Sequence, residues 1–194
     1  MRKTAAAVIV IACLWIGYTA WPIYDLYVLV RAIETRDVGT ITRHVYFDEV
    51  RNSITQQLVS TYVRRTGAQI SPLARNMAAT AVAVADPVMS KLISPEGLAD
   101  LLSAGWPLSI MPAAPGAVGI TRNTLGTMWQ VFGDSEYGIG RFEISAPAAL
   151  PPQHRFYLEF RLLQWQWRLV GVTLPERIQD VLADEIAKTI KRPH

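Results

Sequence analysis

The sequence predicts an α+β protein: an N-terminal transmembrane helix, several helices packed on one face of a curved four-stranded antiparallel sheet, and a C-terminal amphipathic helix. Three patterns support this prediction. An uncharged apolar run opens the chain, apolar residues at helical spacing follow it, and alternating apolar and polar residues fill the region 128–174. The 194 residues therefore divide into a membrane anchor (1–24), a single extracytoplasmic domain (25–175) and a terminal helix (176–194).

The opening run has the length and the flanks of a membrane-spanning signal-anchor. It follows Arg2 and Lys3 and stays uncharged until Asp25. As a helix, residues 5–21 cover about 26 Å, which is enough for a thin bilayer. A cleavable signal peptide starts in the same way but ends at a small-residue site. This run ends instead in aromatic residues typical of a bilayer interface, namely Tyr18, Trp21 and Tyr24.

The charges around the run predict its orientation. Basic residues concentrate on the cytoplasmic side of membrane spans, and here they precede the span, whereas the first charge after it is acidic. We therefore expect a single-pass protein of the bacterial inner membrane, with a cytoplasmic N-terminus and a periplasmic domain. Pro22 either kinks the span or opens the first domain helix. We favour a span that continues through Pro22 into that helix.

Cys13 allows a different kind of anchoring. Residues 10–13 (Val-Ile-Ala-Cys) resemble the lipobox at which bacterial lipoproteins are cleaved and acylated. However, the apolar stretch before the cysteine is short for such a signal, and apolar residues continue well past it. A small apolar residue inside a spanning helix explains Cys13 better, and lipidation at Cys13 is the alternative.

Composition and motifs argue against several classes of protein. The net charge is only +3 and the basic residues are scattered, so the chain has no basic stripe for nucleic acid. A single cysteine allows no intramolecular disulfide. The three histidines have no His, Cys or acidic neighbour at metal-ligand spacing, and the glycines follow no phosphate-binding, dinucleotide or hydrolase motif. We predict no metal, no cofactor and no enzymatic activity.

Short helices with one apolar face each are expected between residues 23 and 105. Local signals mark their ends: Asp37 and Asp48 as N-caps, Asp86-Pro87 and Ser94-Pro95 as helix starts, and Gly105 as a stop. At the other end of the chain, Pro175 opens an amphipathic helix over 176–192. We expect this helix to dock on the domain, and a role at the membrane surface or with a partner is the alternative.

Strand patterns fill the region between. We predict strands over 128–132 and 140–145 around a loop at 133–138, and a second pair over 155–162 and 166–174. Joined as a meander, these four strands bury one face and leave the other mixed. In the last strand, simple alternation places Arg168, Val170 and Val172 on the face opposite Trp167 and Leu169.

Several stretches together resemble one bacterial family. They are residues 21–37, 44–51, 57–58, 71–74, 93–102 and 167–175, and the Ser-Pro-Glu-Gly-Leu stretch within 93–102 is the most specific. With them the chain resembles the family named domain of unknown function 2939, over about residues 20–175. The resemblance implies an N-terminal membrane anchor and no established activity, so it assigns no catalytic residue. The order of elements also resembles the cystatin-like or nuclear-transport-factor-like layout, which does not fix function.

One group of side chains has the composition of an acid-base site. His44, Tyr46 and Asp48 lie close together in the sequence, and a hydrolase using His44 and Asp48 is a third-ranked hypothesis. A junction between two helices with Asp48 as the cap explains the same residues with fewer assumptions. We therefore predict no catalytic residues.

Two function hypotheses follow, from different classes. The first is a binding module for an apolar or lipid-like ligand, because residues 78–85 are almost wholly apolar and two tryptophans lie near the last hairpin. Its ligand-binding residues would be Met77, Ala81, Val84, Val88, Trp165 and Trp167. The second is a structural or interaction protein that presents its domain to another envelope component. For the tryptophans, packing within the sheet is the simpler interpretation.

Overall fold

A computed structural model of the chain describes residues 2–66, 86–108 and 118–190. Part of the region predicted to form short helices (67–85) and the end of the C-terminal helix at 192 lie outside these ranges. The described helices are α1 (Arg2–Thr35), α2 (Val38–His44), α3 (Phe47–Thr66), α4 (Asp86–Leu92), α5 (Pro95–Ala104), α6 (Met128–Gly133) and α7 (Glu176–Ile190).

The sheet is an antiparallel meander, and the α+β class is confirmed. Its strands pair in the order of the chain, and a short 3-10 turn, Pro152–His154, lies between the second and the third. The strands are β1 (Ser135–Gly138), β2 (Arg141–Ala146), β3 (Phe156–Leu163) and β4 (Gln166–Thr173). The curved cystatin-like layout stays a prediction.

Helix α1 is continuous and has two parts with different surroundings. Residues 3–17 are exposed on all sides although most are apolar, whereas Leu26, Leu29 and Ile33 lie in the core of the domain. Pro22 lies inside the helix without ending it, so the predicted continuity through Pro22 is confirmed. The same helix therefore supplies both the apolar N-terminal segment and a central element of the core.

The local cap signals are mostly confirmed. The Asp37 side chain accepts from Thr40 N, the Ser94 side chain accepts from Gly97 N, and Gly105 ends α5 in the left-handed region at φ 68°. The prediction that Asp48 caps α3 is wrong, because the helix begins at Phe47. Backbone bonds at Tyr46 set this earlier start: Tyr46 N donates to Leu169 O (2.8 Å) and Tyr46 O accepts from Val50 N (3.1 Å).

The first predicted hairpin is displaced along the chain. Residues 128–132 form the start of α6 and not a strand, because Thr127 and Gln130 make a reciprocal capping box that begins a helix there. The strand itself falls in the predicted loop, at β1, and pairs Gly138 with Arg141 around a two-residue turn at Ile139 and Gly140. The Thr-x-x-Gln signal was present in the sequence and explains the error.

One face of the sheet carries the core. Phe160 pairs with Phe142 on β2 and with Leu169 on β4, and all three are buried. A bulge between Glu159 and Phe160 pairs Glu159 with Gly171, so β4 has one extra residue there. Because of the bulge, the core contains Val172 together with Leu169. The predicted opposition of Val172 to Leu169 is therefore wrong.

Helix α7 docks on the domain, as predicted. Ile178 and Leu182 are buried in the same core as the sheet. A polar network fixes its start: Gln179 Nε2 donates to Leu174 O at the end of β4 (2.7 Å), and Gln179 Oε1 accepts from Thr61 of α3 (2.8 Å). The helix is therefore joined to both α3 and the sheet by apolar and polar contacts.

Candidate functional site

The free edge of β4 is covered by groups from the helices. The Asp25 carboxylate accepts from Trp167 N (3.3 Å), and Tyr46 N donates to Leu169 O (2.8 Å). Further along, the Gln57 amide donates to Val172 O (2.8 Å) and accepts from Leu174 N (2.9 Å). An edge strand left open would invite pairing with another chain. These contacts make this edge part of the closed structure.

Buried Asp25 and partly buried His44 form a pair at this edge. The carboxylate of Asp25, whose residue is 8% exposed, lies 3.9 Å from His44 Nε2, while His44 Nδ1 lies 3.0 Å from Thr40 O. Burial raises the pKa of Asp25, and the bond from Trp167 N, the charge of His44 and the Trp21 side chain oppose that rise. At 3.9 Å the pair makes no direct hydrogen bond.

The acid-base group suggested by the sequence is arranged differently in the structure. The carboxylate within ion-pair range of His44 is that of Asp25, on α1. Tyr46 is exposed, and Asp48 lies in the first turn of α3. No signal in the sequence pairs Asp25 with His44, because the two residues meet only through the packing of α1 against α2.

The outer face of the sheet carries a row of arginines. Arg141, Arg161 and Arg168 lie directly opposite one another on β2, β3 and β4. Like charges in directly opposed positions destabilise a sheet. Only part of this charge is compensated: Arg141 and Arg161 bind carboxylates, whereas Arg168 donates to the neutral amide of Gln166 (3.2 Å) and its buried Nε has no acceptor among the described residues.

A row of glutamates lies next to the arginines, farther from the β1–β2 turn (139–140) and the β3–β4 turn (164–165). Glu143 lies between Glu136 on β1 and Glu159 on β3. Arg141 bridges to Glu143 at 2.9 Å and to Glu159 at 3.3 Å, and Arg161 bridges to Glu159 at 3.1 Å. The arginine row lies closer to the two turns, and the glutamate row lies behind it. This charged outer face agrees with the mixed face predicted for the sheet.

A polar groove runs between α3 and this outer face. It encloses about 420 Å³. Gly171 has no side chain to fill it, and a Cβ there would lie 3.6 Å from Ser53 Oγ. The α3 side of the groove is a stripe of polar residues at helical spacing, namely Glu49, Asn52, Ser53, Gln56, Gln57 and Ser60. The sheet side consists of Glu159, Arg161, Val170, Gly171 and Thr173.

The predicted ligand-binding residues do not gather into one described site. Met77, Ala81 and Val84 lie outside the described residues, and Val88 lies on α4 with its side chain undescribed. The two tryptophans occupy opposite environments. Trp167 is 1% exposed in the core, whereas Trp165 is 80% exposed in the turn between β3 and β4. Their roles as ligand contacts stay untested predictions.

A second groove lies where α1 enters the domain. It encloses about 340 Å³ and lies among Trp15, Tyr18, Thr19, Phe132, Tyr137, Gly138 and Ile139. The Tyr18 hydroxyl donates to Gly138 O (3.3 Å) and accepts from Gly140 N (2.8 Å), and its ring packs edge-on against Trp167. Tyr18 therefore ties the β1–β2 turn to the helix.

The described residues contain no group of three or more His, Cys, Asp or Glu side chains able to hold a metal ion. The side chain of Cys13 is exposed on the apolar part of α1. Its lipidation stays an untested alternative.

An apolar N-terminal helix that runs on into an α+β domain defines the class of protein. Among the described helices, only α1 is long and apolar enough to cross a membrane. Residues 11–101 match the family described as "Protein of unknown function (DUF2939)", and this match supports the family assignment that the sequence resemblance predicted. The match ends before the sheet, although the resemblance was expected to reach residue 175. No curated protein and no solved structure matches the chain significantly.

Proposed function

We propose that this protein is a non-enzymatic, membrane-anchored interaction protein of the bacterial envelope. Helix α1 spans the inner membrane as an uncleaved signal-anchor, with its N-terminus in the cytoplasm and the domain in the periplasm. The apolar, exposed surface of residues 4–17 and the basic residues before them, Arg2 and Lys3, support this proposal. The membrane is the first partner, and another envelope protein is the second.

The polar groove between α3 and the sheet carries the interaction proposal. Its α3 side is a continuous polar stripe, while the opposite side of α3 buries Val50, Ile54 and Leu58. The helix therefore directs polar side chains toward an open concave surface. A groove around these side chains is not needed for the stability of the domain. A polar segment of another envelope protein fits the amides, hydroxyls and mixed charges that line this groove.

Photo-crosslinking in intact cells tests the interaction proposal. A photoreactive residue at Gln56, which lies in the groove, should capture a partner in addition to the monomer. The matched control is the same residue at Asn123, which is exposed outside the groove. Only monomer at both positions, or an identical pattern of products from both, would contradict the proposal.

The apolar-ligand module is the second candidate function, and one observation supports it. A smaller cleft of about 190 Å³ lies between the start of α7 and the end of the sheet at which β3 begins, beside Trp106, Phe156 and Ile178. The buried Nε1 of Trp106 has no acceptor among the described residues, so a ligand with an acceptor atom would satisfy it. Native mass spectrometry of the full chain released from nanodiscs tests this function. Absence of any bound ligand would overturn it.

A further inference from the structure

Two turns at one end of the sheet expose apolar side chains. Ile139, between β1 and β2, is 105% exposed, and Trp165, between β3 and β4, is 80% exposed. They are the two most exposed large apolar side chains among the described residues. In an antiparallel meander the first and third turns lie at the same end of the sheet, so Ile139 and Trp165 project from one end of the domain.

The conformation of the turn between β3 and β4 makes its tryptophan, Trp165, unusual. Gln164 and Trp165 both have positive φ, at 50° and 63°. Two-residue turns of this kind favour Asn and Gly, because a larger side chain is strained in the left-handed region. A bulky aromatic residue held there, and pointing into solvent, indicates a functional constraint rather than a folding one.

The same end of the sheet lies where α1 enters the domain. Tyr18 binds the backbone on both sides of Ile139, and Trp167, two residues after Trp165, packs on the Tyr18 ring. Phe132 and Trp15 border the groove at this point, and both are exposed. The two turns are therefore held close to the apolar part of α1.

The length of the apolar part of α1 determines how close the bilayer surface lies to the two turns. From Thr4 to Gly17, where α1 is exposed on all sides, the helix covers only about 21 Å, whereas the hydrocarbon core of a bilayer is about 30 Å thick. A bilayer spanned by α1 must therefore reach the level of Tyr18 and Trp21. The turns that Tyr18 holds then lie at its surface.

The charged rows on the outer face of the sheet are also ordered along the strands, starting from the end that carries the two turns. Behind the apolar turns comes the arginine row, and the glutamate row lies farther back. Basic side chains at this depth face lipid phosphates, and Trp is enriched at the same level of a membrane protein. The like-charged row, unfavourable within the sheet alone, is favourable beside an anionic surface.

We propose that the turns at Ile139 and Trp165 insert into the interfacial layer of the bilayer, and that Arg141, Arg161 and Arg168 bind anionic lipid headgroups. This proposal rests on the proposed function in one respect, since it requires α1 to span the membrane. The domain then has two contacts with the membrane, one through the span and one through the end of its sheet.

Depth-dependent fluorescence quenching tests the proposal. The full chain carrying Cys13→Ser receives one cysteine at a time, by Ile139→Cys, Trp165→Cys, Ile9→Cys or Gln153→Cys, and each is labelled with an environment-sensitive dye in vesicles. The position at Ile9 reports the span, and Gln153, between β2 and β3, is the control at the far end of the sheet. Quenchers attached to lipid headgroups should reach the dyes at 139 and 165 but not the dye at 153.

The outcomes separate the two proposals. If the dyes at 139 and 165 behave like the dye at 153 while a lipid quencher reaches the dye at 9, the interfacial contact is wrong and the anchor stands. If lipid quenchers miss the dye at 9 as well, the anchor itself fails. If the dyes at 139 and 165 are shielded from water but not quenched by lipid, protein covers the turns, which also overturns the proposal.

A separate experiment, which compares vesicles with and without an anionic lipid, tests the role of the three arginines. In phosphatidylcholine vesicles, adding phosphatidylglycerol should increase quenching at position 139, because each arginine beside an anionic surface raises the ratio of inserted to withdrawn turns about fivefold. Replacing all three arginines by glutamine should remove this increase, and replacing them by lysine should keep it. A lipid effect that is absent from the unmodified chain, or unchanged in the glutamine variant, would overturn the role of the arginines.

Discussion

Asp25 is the residue at which the first helix, the second helix and the edge of the sheet meet. It is the first charge after the apolar run, and it lies buried between Trp167 and His44. A carboxylate at this depth is stable only because it accepts hydrogen bonds. Its position suggests a structural role, since it binds the backbone at the start of β4.

Replacing Asp25 by alanine should destabilise the domain by about 1–3 kcal/mol, because Trp167 N then loses its acceptor in a buried position. Asp25→Asn is the matched control, since the amide retains an acceptor oxygen. Chemical denaturation in detergent micelles measures both free energies of unfolding. Equal stability of the alanine and asparagine variants would show that the hydrogen bond contributes nothing.

The pH dependence of the same residue has a defined sign. Burial raises the pKa of Asp25 above its ordinary value of 3.8, so the folded protein binds the proton more tightly than the unfolded chain. Relative to Asp25→Asn, the unmodified protein should therefore lose stability as the pH rises from 3.8 through the raised pKa. Unfolding curves of both proteins across this range measure the difference, and an unmodified protein that gains stability relative to Asp25→Asn as the pH rises would contradict the assignment.

Gly97 gives a test of close packing between α4 and α5. A Cβ at this position would lie 2.0 Å from the carbonyl oxygen of Lys91. Gly97→Ala should therefore destabilise the protein by about 1–3 kcal/mol, although alanine is the better helix former. In the control Gly39→Ala, the new Cβ lies 3.5 Å from its nearest neighbour, and the change should stabilise by about 0.5–1 kcal/mol. Similar effects at both positions, measured by thermal unfolding, would contradict this packing.

Among the elements, those with local signals were predictable. The caps at Asp37 and Ser94 and the stop at Gly105 depend on a few neighbouring residues, and the sequence contains those residues. The bulge in β4 and the pairing of Asp25 with His44 depend on contacts between distant segments, so no local pattern contains them. The displaced first hairpin is a different case, because a local capping signal was present at Thr127 and the strand-like composition of the next residues outweighed it.

Gln57 tests how the edge of β4 is closed. Its amide bonds to both Val172 O and Leu174 N, so Gln57→Leu leaves Leu174 N without this acceptor and Val172 O with the longer bond from Ser53 Oγ (3.4 Å). The expected loss of stability is about 1–3 kcal/mol, mainly from Leu174 N. Gln56→Leu, one residue away and exposed, should change stability by less than about 0.5 kcal/mol. Urea titrations that rank the two variants equally would show that the amide does not close the edge.

For the whole molecule, the continuity of α1 has a mechanical consequence. The helix that carries the exposed apolar segment also carries Leu26, Leu29 and Ile33 in the core. No flexible linker separates the two parts, so an anchored domain is held at a fixed distance from the bilayer. This geometry holds the polar groove and the charged face of the sheet at defined distances from the apolar segment, which suits the proposed role of presenting a surface to a neighbour.

The intact mass of the protein extracted from cell membranes tests the central proposal, that α1 is both the membrane anchor and a core helix. The mass should correspond to the chain with its N-terminal segment retained and Cys13 unmodified. Cleavage after Tyr18, or at any later site in α1, would remove Tyr18, which binds the β1–β2 turn, and would therefore disturb the domain. A mass that lacks the first 18–25 residues, or that starts at a lipidated Cys13, would contradict the account.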